Sequence, residues 1–230
     1  MTGVLIYVLF GYPGSGKGTF SQALKTEGYE HLSTGDVLRD EVKRSSALGL
    51  EYKDKIERAD ALLPSEIVEK IVKERLQRSL QDGKKLILDG YPKTLEQCIF
   101  LDDFINNNEL KDRVVFIFID VDPKIAAERI LFRQSCPKCN RIYNSKYNPS
   151  KIPGICDQCG EKLVVRTSDN LIDVQRRFDL FEKTIIKVIE YYKQSNRLII
   201  LDGSDSAAVC TEFFLNFHRS LNEPDNAGEK

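Results

Sequence analysis

The stretch "VLIYVLFGYPGSGKGTF" (4–20) constrains this chain more than any other. An unbroken apolar run, Val4–Phe10, feeds a turn carrying Gly11, Gly14 and Gly16, and Lys17 then opens a helical pattern, "GTFSQALK". A continuous apolar run reads as a strand buried on both faces. Glycines so spaced let successive backbone N–H groups point inward, forming an anion nest at a helix start where the dipole also favours negative charge. Lys17 adds a point charge suited to the β and γ phosphates of a nucleotide. Gly14, Ser15, Gly16, Lys17, Gly18 and Thr19 are therefore candidate phosphate-binding residues.

The spelling departs from G-x-x-x-x-G-K-[ST] at one place: Gly18 stands where a hydroxyl is usual, and Thr19 comes one residue late. In most P-loop proteins that hydroxyl ligates Mg²⁺ directly. With Gly there, the metal is expected to be held through water and the phosphates, leaving Thr19 to touch phosphate.

Three more β-rich runs follow, "KLILD" (85–89), "VVFIFIDV" (114–121) and "RLIILD" (197–202), separated by amphipathic helical patterns. Continuous strands alternating with helices predict a P-loop-type α/β fold, a parallel sheet with helices on both faces. Ligands gather at the carboxyl ends of such strands. Two stretches break the alternation. Residues 34–64 are polar and largely helical, and 134–166 carry two cysteine pairs with Pro, Gly, Asn and Tyr. Both read as insertions on a core formed by 1–33, 65–133 and 167–221; the polar tail 222–230 is expected to be disordered. "ERILFR" places Arg129 and Arg133 four apart, on one face of a predicted helix.

A net charge of −1 argues against nucleic acid or membrane as an electrostatic partner. The apolar run at 4–10 lacks the basic flank and cleavage site of a signal peptide, and is far shorter than the about 20 residues a membrane span needs. A cytoplasmic protein is expected. Four of the six cysteines form C-x2-C-x16-C-x2-C, namely Cys136, Cys139, Cys156 and Cys159. That pattern is a tetrahedral Zn²⁺ signal. Disulfides do not suit a reducing compartment, and two pairs are superfluous for redox exchange. Four thiolates leave no open position, so the metal is expected to be structural. Cys98 and Cys210 sit in apolar helical contexts and read as core residues.

The form "GxPGSGKGT" resembles the adenylate kinases and their relatives, and the resemblance runs along nearly the whole chain. "HLSTGDVLR" (31–39) is similar to the family's acceptor motif, implying that Thr34 and Arg39 hold the monophosphate. "LLPSEIV" resembles the segment lining the acceptor adenine, which implicates Ala61, Leu62 and Leu63. "LDGYPKTLEQ" (88–97) resembles "LDGFPRTxxQ", implying Asp89 beside metal-bound water, Gly90 and Lys93 on the acceptor, and Gln97 at the adenine edge. Arg166 and Arg177 are spaced like the family's second arginine set, on the acceptor and in catalysis. By the same resemblance Lys17, Arg129 and Arg133 are catalytic, Arg133 also binding the donor, and Asp89 joins them. The cysteine insertion corresponds to the lid, with Ile142 and Tyr143 packing on the donor; an aromatic there could equally be lid core. Two polyanions must be brought together, so catalysis rests on positioning and charge neutralisation. The implied reaction is ATP + AMP = 2 ADP, with Mg²⁺, in a monomer.

Departures from the family pattern are Lys93 for Arg, Phe132 for Gly, Asp60 and Ala61 for Gly and Lys, and Ser168 for the first of two acids, leaving Asp169. Of these, Lys93 and Asp60 bear on acceptor affinity and identity. The alternatives are a kinase for another monophosphate or with GTP as donor, a nucleotide-binding paralogue with weak or no activity, and a zinc-ribbon binding module. Neutral charge and the placement of the P-loop count against the last. With only His31 and His218 available, both expected to be structural or at the surface, histidine-based hydrolysis has little support.

Overall fold

The computed structural model describes residues 3–58 and 61–222; the expectations for Asp60 and for 223–230 lie outside the described residues. Its centre is a five-stranded parallel sheet of β1 (Ile6–Phe10), β2 (Tyr29–Ser33), β3 (Lys85–Asp89), β4 (Val114–Asp120) and β7 (Leu198–Asp202), in the order β2-β3-β1-β4-β7. Alternation along β1 explains why the run is apolar throughout. Ile6, Val8 and Phe10 face a core shared with helices α5 (Ser65–Gln81), α6 (Leu95–Asn107) and α8 (Leu171–Gln194). Tyr7 and Leu9 face the opposite core, shared with α1 (Lys17–Leu24) and α9 (Ala207–Asn222). Burying each such side chain contributes roughly 1.5–3 kcal/mol, so a polar residue anywhere in β1 would be costly.

Four of the five sheet strands coincide with the apolar runs; β2 was not predicted. Its sequence, "YEHLS", buries Tyr29 and Leu32 but leaves Glu30 and His31 outward, because an edge strand pairs on one side only. The register aligns Ser33 with Asp89 and Asp89 with Leu9, so β2, β3 and β1 end together. Three loops therefore open side by side at one rim of the sheet.

Residues 34–58 form α2 (Thr34–Lys43), α3 (Ala47–Glu51) and α4 (Lys53–Arg58). After α7 (Pro123–Leu131) the chain makes a short antiparallel hairpin, β5 (Arg133–Ser135) with β6 (Ile142–Asn144), within the cysteine segment. Here one expectation is corrected. Arg129 and Arg133 do not share a helical face: α7 stops at Leu131, Phe132 caps it with its N–H on Glu128 O at 3.3 Å, and Arg133 pairs with Asn144 in extended backbone. Hairpin pairing overrides the helical spacing. No helix among the described residues is long and apolar enough to cross a membrane.

Candidate active site

The loop after β1 wraps the start of α1. Gly14 has φ +86°, and a Cβ there would stand 2.3 Å from Ala126 O, so α7 packs directly on its backbone. The N-cap of α1 is Gly16, left-handed and without a side-chain cap, whereas Ser33, Thr94, Asp122 and Asn170 cap α2, α6, α7 and α8 through side chains. The first N–H groups of α1 are thereby left for an anion. Lys17 Nζ donates to Gly11 O at 2.8 Å and Tyr12 O at 3.0 Å. Burial pulls its ammonium below the usual lysine range, as do the charges of Arg177, Lys93 and Arg133, while Asp89 opposes them. Ser15 Oγ is buried and has no hydrogen-bond partner among the described residues.

Beside this loop, Thr34, which opens α2 directly after β2, donates from Oγ1 to Gly90 O at 2.9 Å, tying the two neighbouring rims. Asp89 ends β3, with His31 Nε2 3.2 Å from its Oδ2. Burial would raise the Asp89 carboxyl, but the His31 hydrogen bond and the Lys17 charge outweigh it and hold the group below the ordinary carboxylate range. His31 was expected to be structural or at the surface; it is exposed, and it also partners this carboxylate, a role that one histidine in a polar strand does not announce.

Across the hollow, Arg133 donates to both oxygens of Asp169, and Arg177 Nη1 lies 3.4 Å from one of them. Burial, and then the charge of Arg133, push the Arg177 guanidinium down to about 10. Arg166 is lowered in the same way, by burial and then by Arg133 and Arg39. Arg39 donates to Asp36, and Arg166 Nη2 lies 3.9 Å from the same oxygen. The Lys93 ammonium feels Asp89, Arg177 and Arg39. Lys17, Arg39, Lys93, Arg133, Arg166 and Arg177 thus act on one another, with Asp36, Asp89 and Asp169 as their counter-charges. Six cations against three carboxylates leave this cluster with an excess of positive charge.

Arg129 is not of this group. It donates to the carbonyls of Gly203, Ser204 and Asp205 at 2.6, 2.9 and 2.7 Å, pinning the loop after β7. Gln97 is buried, its Oε1 accepting from Lys93 N at 2.8 Å and its Nε2 donating to Ser65 Oγ at 3.4 Å; each group retains one further bonding position. Leu63 is buried, Leu62 partly buried and Ala61 exposed just before α5.

In the cysteine segment the four sulfurs lie within 4.8 Å of one another. The separations Cys136–Cys159, Cys139–Cys156 and Cys139–Cys159 are 3.4, 3.6 and 3.7 Å. A disulfide needs about 2.05 Å, whereas four thiolates each about 2.3 Å from one Zn²⁺ lie roughly 3.8 Å apart. The cluster fits a tetrahedral metal. Ile142 leans toward the phosphate loop, 3.0 Å from where a Gly18 Cβ would be. Tyr143 does not join it: its ring is buried with Cys136, Cys156 and Leu163, leaving no face to pack on a nucleotide. Apolar character alone could not separate these two neighbours.

A Gly-rich loop opening a helix at the rim of a parallel sheet, opposite converging guanidiniums, defines a P-loop protein that handles phosphorylated ligands. A model of the adenylate kinase family matches residues 9–197. The chain is 41% identical over 216 residues to an adenylate kinase of Thermosipho melanesiensis, covering 92% of this chain and 98% of that one. It is 40% identical over 198 residues to one from Thermococcus gammatolerans, covering 85% and 86%, and 37% identical over 218 residues to one from Petrotoga mobilis, covering 94% and 98%. The chain belongs to the adenylate kinase family, and that membership makes it a phosphotransferase.

Proposed function

We propose that the chain moves the γ-phosphoryl group of Mg-ATP reversibly to AMP, giving two ADP. The observation that carries this reading is the set of six cations gathered around Asp36, Asp89 and Asp169. Phosphoryl transfer asks little covalent work of side chains; it needs two polyanions held in line and the migrating charge neutralised. Lys17, with the free N–H groups of α1, suits the donor phosphates, and Arg39, Thr34 and Lys93 suit the acceptor phosphate. Arg133, Arg166 and Arg177 suit the charge that spreads over the transferred group.

Magnesium bound with the donor supplies further neutralisation of the phosphates. The residue fitted to orient its water is Asp89, ionised beside Lys17, since Gly18 has no hydroxyl to offer. The cysteine cluster suits a structural Zn²⁺ that ties down residues 134–166 as a lid, with 34–64 as the acceptor segment. Ile142 over Gly18 supports that lid reading, because closing a wall over the phosphates limits hydrolysis of the donor. We take the protein to work as a monomer in the cytoplasm.

Lys93 favours a second reading, an altered acceptor, because a flexible point charge replaces a planar two-pronged donor. A coupled assay of ATP and GTP against AMP, GMP, CMP and UMP tests both. ATP with AMP is expected to be the fastest pair. A faster pair with another acceptor overturns the AMP assignment, and no transfer with any pair overturns the kinase reading.

A further inference from the structure

Two neighbours on β6 serve opposite faces, as strand geometry requires. Ile142 reaches the phosphate loop at Gly18, and Tyr143 turns into the cysteine cluster. The Tyr143 hydroxyl oxygen accepts from the Asp157 amide at 2.8 Å, so its proton is free to donate to Cys156 Sγ, 3.5 Å away. The ring carries the Arg141 guanidinium 5.7 Å from its centroid, and its backbone pairs with Gln134 in β5. One side chain thus joins a sulfur of the second cysteine pair to the strand that seats the lid on the loop.

Four thiolates around one divalent cation leave a surplus of negative charge, so a hydroxyl donating to one sulfur steadies the ligand set. Loss of such outer partners typically costs about 10–100-fold in metal affinity. The hairpin is three residues per strand, too short to absorb a shift of Cys156 before it reaches Ile142. We infer that Tyr143 is a positioning residue that fixes Cys156 for the metal and transmits metal occupancy, through β6, to the seat of Ile142 on Gly18, so that zinc is felt as affinity for the donor nucleotide. The inference rests on the zinc reading above and gives Tyr143 a task other than touching the nucleotide.

Tyr143→Phe in the full chain keeps the ring and deletes the hydroxyl. Leu163→Ala serves as control, removing packing from the cluster without removing a hydrogen bond to sulfur. Zinc affinity is measured by chelator competition, the ligand set by the absorption of the Co²⁺-substituted chain, and ATP and AMP affinity by calorimetry. Tyr143→Phe should bind zinc about tenfold more weakly, shift the cobalt–thiolate band, and lose ATP affinity severalfold with AMP unchanged. Leu163→Ala should melt earlier with the wild-type cobalt band. In the wild-type chain, stripping the metal should weaken ATP severalfold and leave AMP unchanged, which tests the coupling without any variant. Zinc affinity and a cobalt band unchanged in Tyr143→Phe overturn the inference even if the variant melts earlier. ATP affinity indifferent to metal removal overturns the coupling. A wild-type chain that binds no zinc overturns the metal reading together with this inference, whereas zinc binding that ignores the hydroxyl overturns this inference alone.

Discussion

Arg133 closes on Asp169 from two directions, Nε to Oδ2 at 2.8 Å and Nη2 to Oδ1 at 2.6 Å, over a carboxylate that is fully buried. Arg177 shares the same acceptor. Asp169→Ala should therefore leave two partly buried guanidiniums facing each other. Breaking a buried pair from one side costs about 3–5 kcal/mol, so urea denaturation should show a loss of that order. Adding a polyphosphate nucleotide should recover part of it, since the ligand returns the missing negative charge.

Lys17→Ala should reduce turnover on the order of 10²–10³-fold, the typical effect of removing one preorganised charge from a transfer site. The chain should stay folded, because among the described residues the hydrogen bonds of Lys17 go to two loop carbonyls and not to the sheet core. A coupled assay beside a melting curve checks both halves, and near-normal turnover would refute the role.

Gly18 and Ile142 make a size pair. A Cβ at Gly18 would stand 3.0 Å from Ile142 Cδ1, so Gly18→Ala should raise the KM for ATP by up to about fivefold, equivalent to about 1 kcal/mol of overpacking. Ile142→Ala in the same chain should cancel most of that rise, and the four-way comparison measures the coupling.

Metal removal should act locally. Chelation, or Cys136→Ala, should expose 134–166 to limited proteolysis before the sheet loosens, because this segment has a small core of its own made of the cysteines, Tyr143 and Leu163. Elemental analysis of the purified chain should find one zinc per molecule. Proteolysis and melting that ignore the chelator would refute the site.

The two histidines should pull stability in opposite directions with pH. Burial against Tyr7 and Tyr29 lowers the His218 imidazole. Its stabilising share is complete above the unfolded value of about 6.5 and is lost as pH falls through the lower folded value. For His31 burial also pulls down, but the Asp89 hydrogen bond and charge outweigh it and raise the group. That share is complete below about 6.5 and fades as pH rises through the raised value. Melting temperatures of His218→Asn and His31→Asn, each minus wild type, should slope oppositely between pH 5 and 8.

Strands β1, β3 and β4 were legible because each pairs on both sides and is largely buried, and so is written as an unbroken apolar run; β7 is an edge strand with Ile200 half exposed, and it was legible because its sequence stays apolar all the same. β2 was not, since an edge strand half in water carries Glu30 and His31 and has no clean period. The turn after β1 was legible because its backbone takes positive φ at Gly11, Gly14 and Gly16, which favours glycine. The arginines were harder. Spacing placed Arg129 and Arg133 on one helix, and only the pairing of Arg133 with Asn144 reveals that the helix has ended and sends them to different partners. Asp169 was seen as half of an altered acidic pair but given no role, because its importance lies in Arg133 and Arg177, distant in sequence from one another. Tyr143 shows the same limit, as a ring suited to a nucleotide and to a core alike.

Asp36 gives one oxygen to two guanidiniums, those of Arg39 on α2 and Arg166 at the end of the cysteine segment. On the proposed assignment, a phosphate arriving at either arginine competes with a carboxylate already there. On that assignment uptake is in part an ion exchange, and departure of product is assisted by the anion that steps back into its place.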